Sequence, residues 1–562
     1  MKHHASKIQP LATEPGASPR NNVISFLDES ARCHPDRIAL IWSEAPKSTG
    51  AEANRGGETL RQMTFGELNN HVRAAAAGFA QLGIRHGDRI FLFVPMSPQL
   101  YIAMFGVQTL GASAVFLDSW ARAPQVANCM RLIEPKAIVA PEKAYRYAAS
   151  SSDIPMPSLK IVVGHHKGSY AASLESLAAR EDRAPICPVE QEHTALITFT
   201  TGSSGVPKGA DRTHRFLAAQ HQAIDRHLPY EPEDRDLPVF PIFSLNNMAG
   251  GVTTVLPRID LAQPNKQDGA ALFRQIRTLG VTCCTLSPSL LRGLAEHARR
   301  QGAALPGLRR VATGGAPISS RDVAAVRLAA PNARIVILYG STEVEPIAQQ
   351  EATTMPAERG QEGVCVGQLC HGLRAKFLRV HRGPITLDSN GFAPWEVPQG
   401  EVGELVLTGE HVCRGYYRNA EAVAATKIVE PDGTLWHRTG DLCRRDPNKR
   451  IWIVGRVHNA IQRKGQLLFP VRAEVIMNQL KCVAGAAYLG LPDPVLGERA
   501  VAVFTPRQTN HDNDLREQVR NALQAEGVVV DDVRQVDSIP LDPRHNSKVE
   551  YDVLRNHLMG KA

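Results

Sequence analysis

No stretch of the chain approaches the ~18 unbroken apolar residues of a membrane-spanning helix. The run from Ile90 to Pro95 is long enough only for a buried strand. No CxxC pair occurs among the 10 cysteines and none is set near a pair of histidines, so the spacing of a zinc site is missing. Scattered thiols in so long a chain fit a reducing cytoplasm better than a disulfide scaffold, and a cytoplasmic location is expected. The opening MKHHASKIQPLATEPGASPR lacks the apolar centre of a secretory signal, and residues 1–22 are expected to form a mobile tail. No basic run exists: 64 basic and 56 acidic residues leave +8 spread along the chain. That gives nucleic-acid binding little support, and the charge reads as solvated surface that tolerates anionic substrates such as nucleotides.

What is present is enough apolar residue to fill large cores, 43% of 562, over a length that calls for several domains or one large body with a satellite. A strand–helix rhythm runs through Arg89–Pro95, Gln99–Leu110, Ala112–Leu117, Pro124–Ile133 and Ala137–Ala140. It returns in Val281–Leu286, Ser289–Arg299, Arg310–Thr313, Ser319–Leu328 and Arg334–Leu338. Such alternation predicts an α/β fold with two doubly wound βαβ subdomains, whose ligand crevices lie at the carboxyl ends of the strands. The Gly-rich stretch 363–442, with short strands such as Glu404–Thr408, is expected to form a small β unit. A boundary is expected near 455–460, giving a large domain over 23–455 and a small α+β C-terminal domain over 456–562.

The segment ALITFTTGSSGVPKG, residues 195–209, carries the most chemistry. An apolar strand runs into Thr200, Thr201, Gly202, Ser203, Ser204, Gly205 and Lys208. The glycines let the backbone approach an anion, and the hydroxyl and amide donors followed by a lysine can wrap phosphate oxygens. A Walker A loop needs Gly-Lys-Ser/Thr, whereas this chain reads Lys208-Gly209-Ala210, so it is a phosphate-gripping loop of another kind. Taken alone, a flexible Gly/Ser turn explains the segment equally well.

The loop resembles the phosphate-binding signature of the adenylate-forming superfamily, which includes acyl-CoA synthetases, peptide-synthetase adenylation domains and luciferases. Thr213-His214 follows at that family's offset. The other family blocks come in order: Gly314-Gly315-Ala316-Pro317, Tyr339-Gly340-Ser341-Thr342-Glu343, Gly403-Glu404-Leu405 with Gly415-Tyr416-Tyr417, and His437-Arg438-Thr439-Gly440-Asp441-Leu442. Gly455-Arg456 then resembles the hinge block, and Lys548 stands where the C-terminal catalytic lysine is expected. The similarity spans roughly residues 20 to 560.

What the resemblance implies is an ATP- and Mg²⁺-dependent activation of a carboxylic acid to an acyl adenylate, with residue types that suit each role. The Gly314–Ala316 segment flanks the adenine and Tyr339 offers a ring for it to stack on. Gly340 and Ser341 continue that corner, and Thr342 offers a hydroxyl to the α-phosphate. Glu343 is a hard oxygen ligand for Mg²⁺. Asp441, an acceptor-only carboxylate, suits the ribose hydroxyls, with Arg456 adding a ribose or phosphate contact. Lys548 meets the negative charge that grows as the acid attacks, an effect worth ~3–4 kcal/mol on the scale of one oxyanion donor. Plainer readings stand beside these: Tyr339 as a core aromatic, Glu343 as a helix N-terminal charge, Asp441 as turn chemistry, Lys548 as solvated surface.

Four places depart from the family pattern. Pro241-Ile242-Phe243-Ser244-Leu245-Asn246 lacks the family's aromatic–His pair. Position 458 is His, position 462 is Gln, and the ending reads Arg544-His545-Asn546-Ser547-Lys548. The string from Asp542 to Lys548, the stretch from Asp236 to Phe243 and Cys365-Val366-Gly367-Gln368 are similar to the β-lactone synthetases of long-chain olefin biosynthesis. That subgroup implies a 2-alkyl-3-hydroxy acid whose own hydroxyl displaces AMP and closes a four-membered lactone, without CoA. A fatty-acid CoA ligase remains the alternative, and a non-catalytic nucleotide-binding protein the third. Phe243, Met248 and Gly250 are candidates to line the acyl pocket, though a core role suits Met248 equally. The expected partner is a small-molecule carboxylic acid, with no nucleic acid and no membrane span. Peripheral contact with a membrane surface and with other enzymes of a lipid pathway stays open.

Overall fold

The computed structural model describes residues 19–44, 59–117, 121, 123–151, 153–200, 207–261, 268–356, 363–507, 513–542 and 548–560. They divide into two compact units. One is drawn from Met1–Ala39, Met63–Ala219 and Met248–Gly251, the other from Leu40–Gln62, Gln220–Asn247 and Val252–Ala562.

In the first unit the apolar runs become parallel strands. Arg89–Leu92 lies between Ser113–Phe116 and Ala137–Pro141, and Leu159–Val163 extends the sheet beyond the latter. Thr194–Thr200 runs parallel to Ser113–Phe116, and Lys208–Thr213 turns back antiparallel along it. Helix Pro98–Thr109, started by the Ser97 side chain and a proline in its first turn, is buried on nearly every face. Its sequence, PQLYIAMFGVQT, has no charged residue to offer water, and a helix apolar all round must be enclosed. The assigned tail lies outside the described residues as far as position 18. Asn22, by contrast, is fully buried and donates to the carbonyls of Gln108 (2.8 Å) and Cys187 (3.2 Å).

The second unit carries a sheet of two characters. Thr253–Val255, Arg235–Pro238, Cys283–Leu286, Arg310–Gly314 and Arg334–Ser341 run parallel in that order. From Arg334–Ser341 onward the pairing is antiparallel: Val344–Glu351, Val364–Leu369, Arg450–Arg456, Leu435–Arg445, Gly403–Thr408 and Arg374–Leu378. The short strands of the Gly-rich region thus lengthen this sheet. The change of pairing falls on the strand that delivers Tyr339, and its carboxyl end is where an open α/β sheet leaves a crevice.

Past Arg456 a short helical turn, Val457–Asn459, leads into a separate sheet of Gln466–Leu468, Ile461–Arg463, Gly497–Pro506, Val483–Asp493 and Asp532–Gln535. Its core packs Tyr488, Phe504, Met477, Val519 and Leu523. No described helix is long and apolar enough to cross a membrane.

Candidate active site

Strand Arg334–Ser341 is buried through Ile335–Leu338 and opens toward the surface at Tyr339. The Tyr339 phenol donates to Asp441 Oδ2 at 2.5 Å. Burial, and then the charge of Asp441, push that phenol well above its ordinary range. Asp441 lies on Leu435–Arg445 directly across from Arg456 on the neighbouring strand, and Arg456 Nε sits 2.9 Å from Asp441 Oδ1. The carboxylate in turn holds the Arg456 guanidinium above its usual value. Tyr339, Asp441 and Arg456, predicted from three separate blocks, are therefore one hydrogen-bonded group.

Asp441 is presented by a braced turn. Gly440 adopts φ +71°, a left-handed conformation that favours glycine. Its N–H donates to Glu404 Oε1 (3.2 Å), and the Thr439 hydroxyl donates to the Leu405 carbonyl (2.8 Å) while accepting from the Asp441 N–H (3.1 Å). Glu404 is also paired with Arg438 at 2.6 Å, both side chains almost fully buried. The Gly-Glu-Leu block is thus scaffolding for the Thr-Gly-Asp turn.

Glu343 lies just beyond the end of the same strand. Its Oε1 accepts from the Tyr416 phenol (2.7 Å), and its carbonyl accepts from the Cys413 N–H (2.8 Å). Burial raises its carboxyl, but His437, the Tyr416 hydrogen bond and Lys427 together outweigh burial and hold it below the ordinary carboxylate range. Ser341 Oγ accepts from the Val344 N–H (3.2 Å) and closes the turn that carries Thr342 and Glu343, both partly buried.

Gly314 ends the adjacent strand, paired with Leu338. A β-carbon there would stand 2.6 Å from the Leu338 carbonyl oxygen, which no neighbouring backbone could absorb. Gly315 follows at φ +85°, exposed, with Ala316 partly buried. At Gly340 a β-carbon would clash with the Glu345 carboxylate. That places an acidic side chain from beyond the motif block against the corner.

Thr200 ends its strand and Lys208 begins the next, facing it across the hairpin; Thr201, Gly202, Ser203, Ser204 and Gly205 lie outside the described residues. A strand and not a helix follows this loop, which separates it from a Walker A loop by topology as well as sequence. His214, the companion of the loop in the motif, is a core residue: its Nδ1 accepts from the Val23 N–H (3.1 Å), and burial pulls its imidazole down to about 3. Lys548 is exposed. Its N–H donates to Asp542 Oδ1 (2.9 Å) beside the Leu541–Val549 bridge, and Arg544–Ser547 lie outside the described residues. Phe243 is buried among Ile224, Leu228, Ala312, Val336 and Leu338, Met248 is fully buried, and Gly250 is exposed.

With this geometry in hand, likenesses to known proteins are informative. The chain is 29% identical over 545 residues to an olefin beta-lactone synthetase of Stenotrophomonas maltophilia (strain K279a), covering 94% of this chain and 96% of that protein. It is 26% identical over 516 residues to a 4-coumarate–CoA ligase-like protein of Oryza sativa subsp. japonica, covering 88% and 85%. In fold it matches a crystal structure of an anthranilate CoA ligase in complex with anthranoyl-AMP, with a TM-score of 0.78 at 18% identity over 98% of this chain and 99% of that one. Residues 27–417 match the AMP-binding enzyme family, and the chain belongs to it as an adenylate-forming enzyme.

Proposed function

We propose that this enzyme activates a 2-alkyl-3-hydroxy fatty acid and closes it to a β-lactone. The acid's carboxylate attacks the α-phosphorus of ATP, pyrophosphate leaves, and an acyl adenylate forms. The 3-hydroxyl oxygen of the same molecule then attacks the acyl carbon, its proton passes to solvent, and the acyl–oxygen bond to AMP breaks. Closure within one molecule needs no second substrate, because proximity supplies much of the acceleration.

The observation that carries the adenylation step is the Tyr339–Asp441–Arg456 group beside Glu343 at the carboxyl end of strand Arg334–Ser341. The ring of Tyr339 is held by its own phenol, ready to stack on adenine, and Asp441 keeps lone pairs for ribose hydroxyls after accepting from Tyr339 and Arg456. We assign the phosphates to the loop 200–205 with Lys208, the adenine edge to Gly314–Ala316, the α-phosphate to Thr342, and the acyl chain to the neighbourhood of Phe243, Met248 and Gly250.

Mg²⁺ fits the donor set here. Glu343 offers a hard carboxylate oxygen held ionised, and no group of three His, Cys, Asp or Glu among the described residues forms a dedicated cage. That suits a cation which takes one or two carboxylates and completes its shell with phosphates and water. Bound there, it would neutralise phosphate charge.

Lys548 is assigned the developing charge at the α-phosphorus, from the C-terminal domain that we place at 456–562, with the large domain at 23–455. Lys548→Ala is expected to lower adenylation roughly 10²–10³-fold with ATP binding retained. Adenylation at the wild-type rate would remove Lys548 from the mechanism.

Lactone formation is favoured over thioester formation by the similarity to a β-lactone synthetase along nearly the whole chain. The rice relative's name supports a CoA ligase as the second reading. Incubation with ATP, Mg²⁺ and a 2-alkyl-3-hydroxy acid, with and without CoA, separates them. AMP and lactone without CoA are expected; a thioester formed only with CoA would establish the second reading. Failure to exchange labelled pyrophosphate into ATP with any acid would leave only nucleotide binding.

A further inference from the structure

Lys427 is 6% exposed, a depth at which lysine is rare unless paired. It belongs to strand Lys427–Val429 and faces His437 across the antiparallel pairing with Leu435–Arg445. Its ammonium donates to the Cys413 carbonyl and to His437 Nδ1, the latter at 3.0 Å, and lies 5.5 Å from the centre of the Tyr416 ring. Because Nδ1 of His437 accepts, the neutral ring carries its proton on Nε2. None of these three partners is a carboxylate.

Two of them, however, grip Glu343. Tyr416 donates its phenol to Glu343 Oε1, and Cys413, whose carbonyl Lys427 holds, donates its N–H to the Glu343 carbonyl. The third, His437, stands between Lys427 and this site, and Lys427 itself is the cation whose field reaches the Glu343 carboxylate. One buried ammonium therefore ties together the side-chain support, the main-chain support and the counter-charge of a single acidic residue. A lysine serving only to fill space would not have its contacts converge in this way.

We propose that Lys427, together with His437, is the positioning residue for Glu343, fixing the orientation and charge balance with which that carboxylate meets Mg²⁺ carried on the phosphates of ATP. The proposal rests on the reading of Glu343 as the metal ligand. Groups that orient a ligating carboxylate are worth roughly 10–100-fold in metal affinity when removed.

The test measures ATP binding to the full-length protein by calorimetry, once with Mg²⁺ and once with EDTA. The ratio of the two dissociation constants is the metal's contribution. Glu343→Gln is expected to collapse that ratio, and Lys427→Met to reduce it about 10–100-fold, with affinity in EDTA kept. The double variant is expected to lose no more than Glu343→Gln alone, because Lys427 acts through Glu343. A wild-type ratio in Lys427→Met, or losses that add in the double variant, would overturn the proposal. Should Lys427→Met fail to fold, His437→Leu must show the same loss, and a wild-type ratio there overturns it equally. A ratio unchanged in Glu343→Gln would instead remove the metal role of Glu343 on which the proposal depends.

Discussion

Arg456 faces Asp441 across two paired strands, its Nε 2.9 Å from Asp441 Oδ1, while the other oxygen of the same carboxylate accepts from Tyr339. One acidic residue thus joins the end of the parallel half of the sheet to the last strand before the C-terminal sheet. Asp441→Asn preserves shape and removes the charge. Hydrogen bonds to a charged group are worth about 1.5–3 kcal/mol each. ATP affinity is expected to fall at least about tenfold, measured by calorimetry, while AMP lacking both ribose hydroxyls should bind the two proteins alike. A nucleotide that loses nothing on this substitution would take Asp441 out of the ribose site.

The brace beneath that carboxylate gives a stability prediction. Glu404 and Arg438 are both almost fully buried, and Arg438 also donates to the carbonyls of His381 and Gly383. Removing one partner of such a pair leaves an uncompensated buried charge, a cost of about 3–5 kcal/mol. Glu404→Ala is expected to lower the thermal midpoint and to speed hydrogen exchange at the Gly440 N–H, which Glu404 accepts. An exchange rate unchanged at Gly440 would show that the turn holds without its brace.

These two cases also mark what could be read in advance. The parallel strands were legible because a strand covered on both faces is a near-continuous apolar run, as in RIVIL at 334–338. Tyr339 and Glu343 stand out because they share one short block that resembles a motif of the family. Glu404 was visible within a motif, but its role as scaffolding depends on Arg438, and that pairing exists only once two strands lie side by side. Lys427 left no local signal at all. Its significance comes from facing His437 in strand register and from burial, neither of which is a property of the residues around it. Glu345 is similar: only the turn of the chain after Ser341 lays its carboxylate on Gly340. Local pattern reports chemistry carried by neighbours in sequence, and is silent on chemistry assembled by pairing.

Gly314 tests how tightly the segment proposed for the adenine edge is built. The β-carbon of an alanine would stand 2.6 Å from the Leu338 carbonyl oxygen, one residue before Tyr339. Overpacking of this kind costs about 1–3 kcal/mol. Gly314→Ala is expected to lower both the thermal midpoint and ATP affinity, because relief of the clash must displace the strand end that presents the tyrosine. A destabilised protein with wild-type ATP affinity would separate Gly314 from nucleotide binding.

Near the C-terminus, Glu474 accepts from the Tyr488 N–H at 3.1 Å and from the Tyr551 phenol. Tyr551 begins the helix that follows Lys548. Burial pushes the Glu474 carboxyl up from 4.5 to about 7, against the opposing pull of those two hydrogen bonds. The folded chain therefore keeps this proton over a range in which the unfolded chain has released it. Stability is full below about pH 4.5 and is lost as pH rises toward about 7, with a slope of at most about 1.4 kcal/mol per pH unit for one proton. Glu474→Gln holds the neutral form at every pH, so its thermal midpoint is expected to lack this component of the slope and to exceed that of the wild type above pH 7. The difference should be greatest in hydrogen exchange of the Tyr551–Leu558 helix, since Tyr551 loses a neutral partner and gains a buried charge. Parallel midpoint–pH curves for the two proteins would show that Glu474 titrates as an ordinary carboxylate and that the Lys548 segment is anchored without it.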